Sequence, residues 1–139
     1  DLSYARALVQ HRGSAFVDAS VLEGSEEELL QNFPQAGENL EALRGMAAEV
    51  LFGVDATAVA EGGRLYDCVV FNFPQTPPST GTNRKVQFQR ELLHGFFAAS
   101  SSRTAADGQV VVSLAAGQAG MESDCAKRPN PKDSWELVE

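Results

Sequence analysis

The sequence predicts an α/β domain with a mostly parallel sheet and helices on both faces. Short β-rich runs alternate along the chain with amphipathic stretches of helical period. One of them, Cys68-Val69-Val70-Phe71, is continuously apolar, the pattern of a strand covered on both faces. Polar or turn-forming residues close each run: Glu23-Gly24, then Asp55, then Asn72-Phe73-Pro74.

Leu2, Ala5, Leu8 and Val9 recur at helical spacing, so a helix is expected over 4–12, capped by Asp1 or Ser3 and ended by Gly13. Residues 15–22 are β-rich and predict a strand. Ser25-Glu26-Glu27-Glu28 reads as a capping box, in which the Ser25 hydroxyl accepts from the Glu28 amide while the Glu28 carboxylate reaches back. The helix it opens runs to Phe33. Pro34 suits the start of another, with Ala36, Leu40, Leu43 and Ala47 on one face. Residues 49–54 predict a buried strand. Pro77, Pro78 and Gly81 exclude regular structure over 75–83, which is expected to be a mobile loop. Val86, Leu93 and Phe97, beside Phe88, Leu92 and Phe96, form the broad apolar face of a core helix. Gly95 lies inside that helix at a cost of about 1 kcal/mol relative to Ala, which predicts close packing against a neighbouring backbone. Asp107-Gly108 reads as a turn, 110–115 as a strand and 117–131 as loop. The usual first strand and its Gly-rich turn would precede Asp1.

With 139 residues and 43% hydrophobic content, the chain can bury one substantial core but not two ordinary ones, so a single, N-terminally incomplete domain is expected over 1–139. No apolar run approaches the roughly 20 residues that cross a bilayer, and no membrane partner is expected. The formal charge of -8 argues against nucleic-acid binding by phosphate neutralisation alone. Cys68 and Cys125 lack the spacing of a zinc or redox pair and read as free thiols, most commonly a buried role. His11 and His94 have no ligand partners nearby in sequence, so no metal site is expected.

In doubly wound folds ligands sit beyond the carboxyl ends of the strands, which gives weight to the polar residues there. Glu23 could accept from both hydroxyls of a ribose; a surface glutamate at a helix entry is the plainer alternative. Asp55, followed by Ala56 and Thr57, could accept from an adenine amine while a backbone amide meets the ring; it could equally cap the next segment. Asn72-Phe73-Pro74 offers an amide to orient an extrahelical base and an aromatic to stack on it, against the alternative of a strand end with a core phenylalanine. Arg84, Lys85 and Arg90 form the main local positive cluster, suited to RNA phosphate or to a solvated helix face.

Together these residues resemble the eukaryotic 25S rRNA (uridine-N3)-methyltransferase-like family over nearly the whole chain. The matching marks are Asp1-Leu2-Ser3-Tyr4-Ala5, Ser25 to Leu30, Glu38-Asn39-Leu40, Val50 to Thr57, Phe71 to Pro74, Arg90 to Phe97 and Asp133-Ser134-Trp135. The resemblance implies a Rossmann-like methyltransferase fold and S-adenosylmethionine (SAM) as cofactor, with transfer of a methyl group to N3 of a uridine in large-subunit rRNA. It implies that Asp1 and Ser3 border the methionine end of SAM, Glu23 its ribose, Asp55 and Ala56 its adenine, and Asn72, Phe73 and Pro74 the reacting base. The implied partners are ribosomal RNA or a pre-ribosomal particle with ribosomal or assembly proteins, and the implied compartment is the nucleolus, with an organelle such as the mitochondrion as the alternative. Two other functions stay open: a catalytically silent methyltransferase-like subunit of a ribosomal complex, and a dinucleotide-dependent oxidoreductase using Glu23 on the NAD ribose.

Overall fold

A computed structural model describes residues 1–58, 63–75 and 85–115, with the main chain alone at 85 and 86. It is mixed α/β, and the chain divides into two compact units, Asp1–Asp55 and Ala56–Glu139.

The first unit holds α1 (Ser3–Arg12), a 3-10 turn at Ser14–Phe16, β1 (Ala19–Ser20), α2 (Glu26–Asn32), α3 (Ala36–Gly45) and β2 (Val50–Leu51). Its core joins Leu2 and Val9 from the start of the chain to Val17, Ala19, Leu29, Ala36, Leu40, Leu43 and Ala48. Ala36, Leu40 and Leu43 are spaced by four and three residues, so they fall on one stripe of α3, and all are fully buried. Ala47, expected on that stripe, lies beyond it: α3 stops at Gly45, and Ala47 adopts a left-handed φ of 56°. The Ala47 amide donates to the Arg44 carbonyl (2.9 Å) and the Ala48 amide to the Leu43 carbonyl (3.0 Å). This is the Schellman pattern, with alanine where glycine is the easy residue.

The cap predicted at Ser25 is present, since its hydroxyl accepts from the Glu28 amide (3.3 Å). The Glu28 carboxylate reaches back one residue further than a standard box and takes the Gly24 amide (2.8 Å). Glu27, hydrogen-bonded to its own amide and to Ser25, is held below the usual carboxylate range. Arg44 on α3 pairs with both carboxylate oxygens of Glu26 on α2.

β1 and β2 pair in parallel, Ala19 opposite Val50 and Ser20 opposite Leu51. Both are far shorter than the runs over 15–22 and 49–54 suggest. At the first, the 3-10 turn of Ser14–Phe16 takes up the start of the β-rich segment, and Phe16 is exposed.

Among the described residues, the second unit is a β-α-β arrangement: β3 (Tyr66–Asn72), α4 (Lys85–Ser101) and β4 (Thr104–Ser113). The strands pair in parallel from Cys68 opposite Gln109 to Asn72 opposite Ser113. Asp107-Gly108 makes an irregularity within β4 rather than a turn before it: the register jumps between the Tyr66–Thr104 and Cys68–Gln109 pairs. A Cβ on Gly108 would lie 3.0 Å from the Tyr66 carbonyl oxygen, so the partner strand's backbone passes close there.

On α4 the buried positions are Gln89, Leu93, Phe96, Ala99 and Ser100; Phe96 meets Phe71 of β3 with ring centroids 4.8 Å apart. Phe97, expected in the core face, is 41% exposed, because the stripe that runs 89, 93, 96, 100 turns it aside. Gly95 does pack closely, though against a side chain: a Cβ there would sit 2.9 Å from Thr57 Cβ. The Ser100, Ser101 and Ser102 hydroxyls donate to the carbonyls of Phe96, Ala98 and Ala99, satisfying the last turn of the helix. Cys68 is a free thiol and is exposed rather than buried, since β3 is only partly covered.

Parallel pairing is thus present, in two two-stranded ladders among the described residues rather than one continuous sheet. Among those residues no helix is long and apolar enough to cross a membrane. Cys125, Arg84 and the residues after 115 lie outside the described set, as does the expected loop beyond Gln75.

Candidate functional site

Three groups of predicted residues are built by the two units, each at an element end. The first is the start of α1. Neither Asp1 nor Ser3 is the residue that caps the helix; Leu2 is, with a left-handed φ of 64° and its side chain buried. Asp1 still serves the helix end, because its Oδ1 accepts from the Ser3 amide (3.1 Å) and the Ser3 hydroxyl (2.9 Å). Asn39 on α3 holds the main chain of this turn, donating through Nδ2 to the Asp1 carbonyl (3.0 Å). Its Oδ1 in turn accepts from Arg6 Nη1 (3.2 Å). Both ends of one amide therefore fix the turn, a role that sequence reading did not assign to Asn39. The available signal was a polar residue flanked by the buried positions Ala36 and Leu40.

The second group lies at the carboxyl ends of β1 and β2. The Val21 amide donates to Leu51 (2.9 Å) and the Val54 amide to Val21 (3.0 Å), so hydrogen bonding continues past both short strands. The Gly53 amide then donates to the Glu23 carbonyl (2.7 Å). Gly53 has φ +70°, and a Cβ on it would lie 3.8 Å from Gly24 Cα, so two glycines let the loops run side by side. Glu23, half-buried, and Asp55, exposed, follow adjacent parallel strands. Ala56 is half-buried in the turn that follows.

The third group ends β3. Asn72 Oδ1 accepts from the Ser113 hydroxyl (2.7 Å), and the Phe73 amide donates to the Ser113 carbonyl (2.8 Å). Phe73 then takes a left-handed φ of 49° and is 59% exposed, and Pro74, next in the chain, is buried. A core phenylalanine is excluded: the chain holds a bulky residue in a conformation that costs about 1–3 kcal/mol and leaves its ring toward solvent. The non-glycine residues with positive φ are Leu2, Ala47 and Phe73 among the described residues. Leu2 and Ala47 are helix-cap positions, Leu2 within the Asp1-Leu2-Ser3 turn, and Phe73 lies in Asn72-Phe73-Pro74. Strain of this kind collects at functional sites.

Of the basic cluster, Lys85 opens α4 and Arg90 is half-buried on it, while Arg84 falls outside the described residues. No group of three or more His, Cys, Asp or Glu converges in a metal-holding arrangement among the described residues.

The class these features define is an α/β protein of parallel-paired strands with candidate polar residues at the ends of its strands and of its first helix. The chain belongs to the BMT5-like family, described as rRNA (uridine-N3-)-methyltransferase BTM5-like, whose model matches residues 1–139. It is 37% identical over 113 residues to the ferredoxin-fold anticodon-binding domain-containing protein 1 homolog of Mus musculus, covering 78% of this chain and 17% of that protein. To the Homo sapiens ferredoxin-fold anticodon-binding domain-containing protein 1 it is 36% identical over 109 residues, covering 76% and 17%. To the heavy metal-associated isoprenylated plant protein 41 of Arabidopsis thaliana it is 33% identical over 120 residues, covering 81% and 23%. The chain thus spans less than a quarter of the length of each of these relatives. No solved structure matches it.

Proposed function

We propose that the chain is the greater part of one Rossmann-like domain of a SAM-dependent methyltransferase that acts on N3 of a uridine in large-subunit rRNA, in nucleolar ribosome assembly. The observation that carries this reading is the strained, solvent-facing Phe73 between a braced Asn72 and a buried Pro74, in a chain of the rRNA (uridine-N3-)-methyltransferase family.

The donor set suits the cofactor. A nucleoside needs acceptors for its ribose hydroxyls and exocyclic amine, and Glu23 and Asp55 offer carboxylates on loops that run together after adjacent strands. Asp1 and Ser3 sit on a turn that Asn39 holds, where the amino-acid end of SAM would be met. When bound, SAM supplies an electrophilic methyl group: its S–C bond breaks with the electron pair going to sulfur as the N3–C bond forms and the N3 proton passes to a base. The protein's part is alignment and exclusion of alternatives. Phe73 offers a face on which a splayed base can stack, and Pro74 fixes the turn that presents it. Lys85 and Arg90 would meet RNA phosphate, with the acidic remainder of the chain leaving most of the phosphate binding to other parts of the full-length protein.

The test is methyl transfer from labelled SAM to ribosomal RNA lacking the modification, with the full-length protein. Asp55→Ala should weaken SAM binding without unfolding the protein; Asn72→Ala should spare SAM binding and lower turnover. Unchanged turnover in Asn72→Ala would remove that residue from the site.

A further inference from the structure

We infer that Ser113 is a positioning residue that sets which end of the Asn72 amide faces the base, and so makes the site selective for a ring nitrogen flanked by carbonyls on both sides. The inference rests on the methyltransferase reading above and adds to it the group that polarises the substrate.

An asparagine side chain carries an acceptor at one end and two donors at the other, and which end meets a ligand depends on what holds the opposite one. Here the Ser113 hydroxyl donates to Asn72 Oδ1 at 2.7 Å. Ser113 cannot easily drift from that place, because it lies opposite Asn72 in the parallel ladder and its carbonyl accepts the Phe73 amide at 2.8 Å. With Oδ1 engaged, and no described residue on Nδ2, the NH2 group is the end offered beyond the strand. The exposed, strained Phe73 adjoins it and supplies the stacking face.

An NH2 donor discriminates between pyrimidines. Uracil carries a carbonyl oxygen at C4, beside N3, whereas cytosine carries an amino group there, which is itself a donor. Two donors facing each other leave a desolvated polar group without a partner, so the amide favours uracil and disfavours cytosine. The same bond assists the chemistry: as N3 loses its proton, negative charge spreads onto O4, and a fixed donor stabilises it. No new bond is made by Ser113 or Asn72, and the N3 proton still leaves to a base.

The experiment compares methyl transfer from tritiated SAM to poly(U) and to poly(C) by the full-length protein and by Ser113→Thr, Ser113→Val and Ser113→Ala. Thr and Val are the same size and both suit a strand, so they differ in the hydroxyl alone, and Ala covers the case in which Val does not fold. The expected result is a preference for poly(U) that Thr retains. In Val and Ala the kcat on poly(U) falls about tenfold, the order expected for one hydrogen bond, and the poly(U) to poly(C) ratio moves toward one with the KM for SAM unchanged. A Val or Ala variant with the wild-type rate and ratio overturns the role of Ser113 while leaving the methyltransferase reading standing. A wild-type protein that labels neither polymer, nor ribosomal RNA lacking the modification, overturns that reading and the role of Ser113 with it.

Discussion

Replacing Phe73 by alanine and by glycine separates the strain at this residue from the work of its ring. Both substitutions remove the same aromatic group, so whatever packing the ring provides is lost equally. They differ in the backbone: at φ 49° an alanine Cβ keeps the left-handed penalty that phenylalanine bears, and glycine does not. That penalty is about 1–2 kcal/mol, from which the greater chain entropy of unfolded glycine subtracts about 0.5–1 kcal/mol. Phe73→Gly should therefore be more stable than Phe73→Ala by about 0.5–1 kcal/mol, or a few degrees in thermal midpoint for a domain of this size. At an ordinary extended position the order is the reverse. In a transfer assay both variants should lose the stacking contribution, about 1–3 kcal/mol per base, and fall by at least fivefold in kcat/KM for RNA. Thermal unfolding of the two proteins decides the first point, and alanine proving the more stable would refute the argument from strain. Equal activity of all three proteins would refute the argument for stacking.

Gly95→Ala should destabilise by about 1 kcal/mol, since a Cβ 2.9 Å from Thr57 Cβ and 3.1 Å from its Cγ2 outweighs the gain in helix propensity; a double-mutant cycle with Thr57→Gly in denaturant should show favourable coupling. Ala47→Gly should stabilise by about 0.5–1 kcal/mol, because the left-handed cap after α3 then costs nothing sterically; a lower denaturation midpoint would contradict the Schellman assignment. Glu27 has a depressed folded pKa, so its contribution to the start of α2 is present above the unfolded value of about 4.3 and is lost as pH falls through the lower folded one. Titration of its side-chain carboxyl by NMR should show the lowered midpoint in the wild type and its return toward the ordinary value in Ser25→Ala.

The helices and the candidate loops were legible in the sequence because each rests on local chemistry. Ser25 caps α2 through a contact three residues away, and the α3 stripe of Ala36, Leu40 and Leu43 is written in its spacing. The strand end at Asn72 followed from where its apolar run stops, whereas β1 and β2 end at Ser20 and Leu51, short of Glu23 and Asp55. What depended on distant parts of the chain was not legible. The 15–22 run has strand composition throughout, yet only Ala19 and Ser20 find a partner in β2. Nothing in the isolated residue types tells that Asn39 reaches Asp1, 38 positions away, or that Ser113 reaches Asn72, 41 positions away. Phe97 shows the limit of periodicity, since a broad apolar face leaves open which edge of it meets the strands and which stays exposed.

The measurement that bears most directly on the central claim is isothermal titration of SAM into the full-length protein and its Asp55→Ala variant, with NAD as the control ligand. The account predicts saturable binding of SAM, no binding of NAD, and an affinity for SAM that drops at least tenfold in the folded variant, as expected for loss of a charged hydrogen-bond acceptor. A folded wild-type protein that binds no SAM, or that binds NAD in its place, would contradict it.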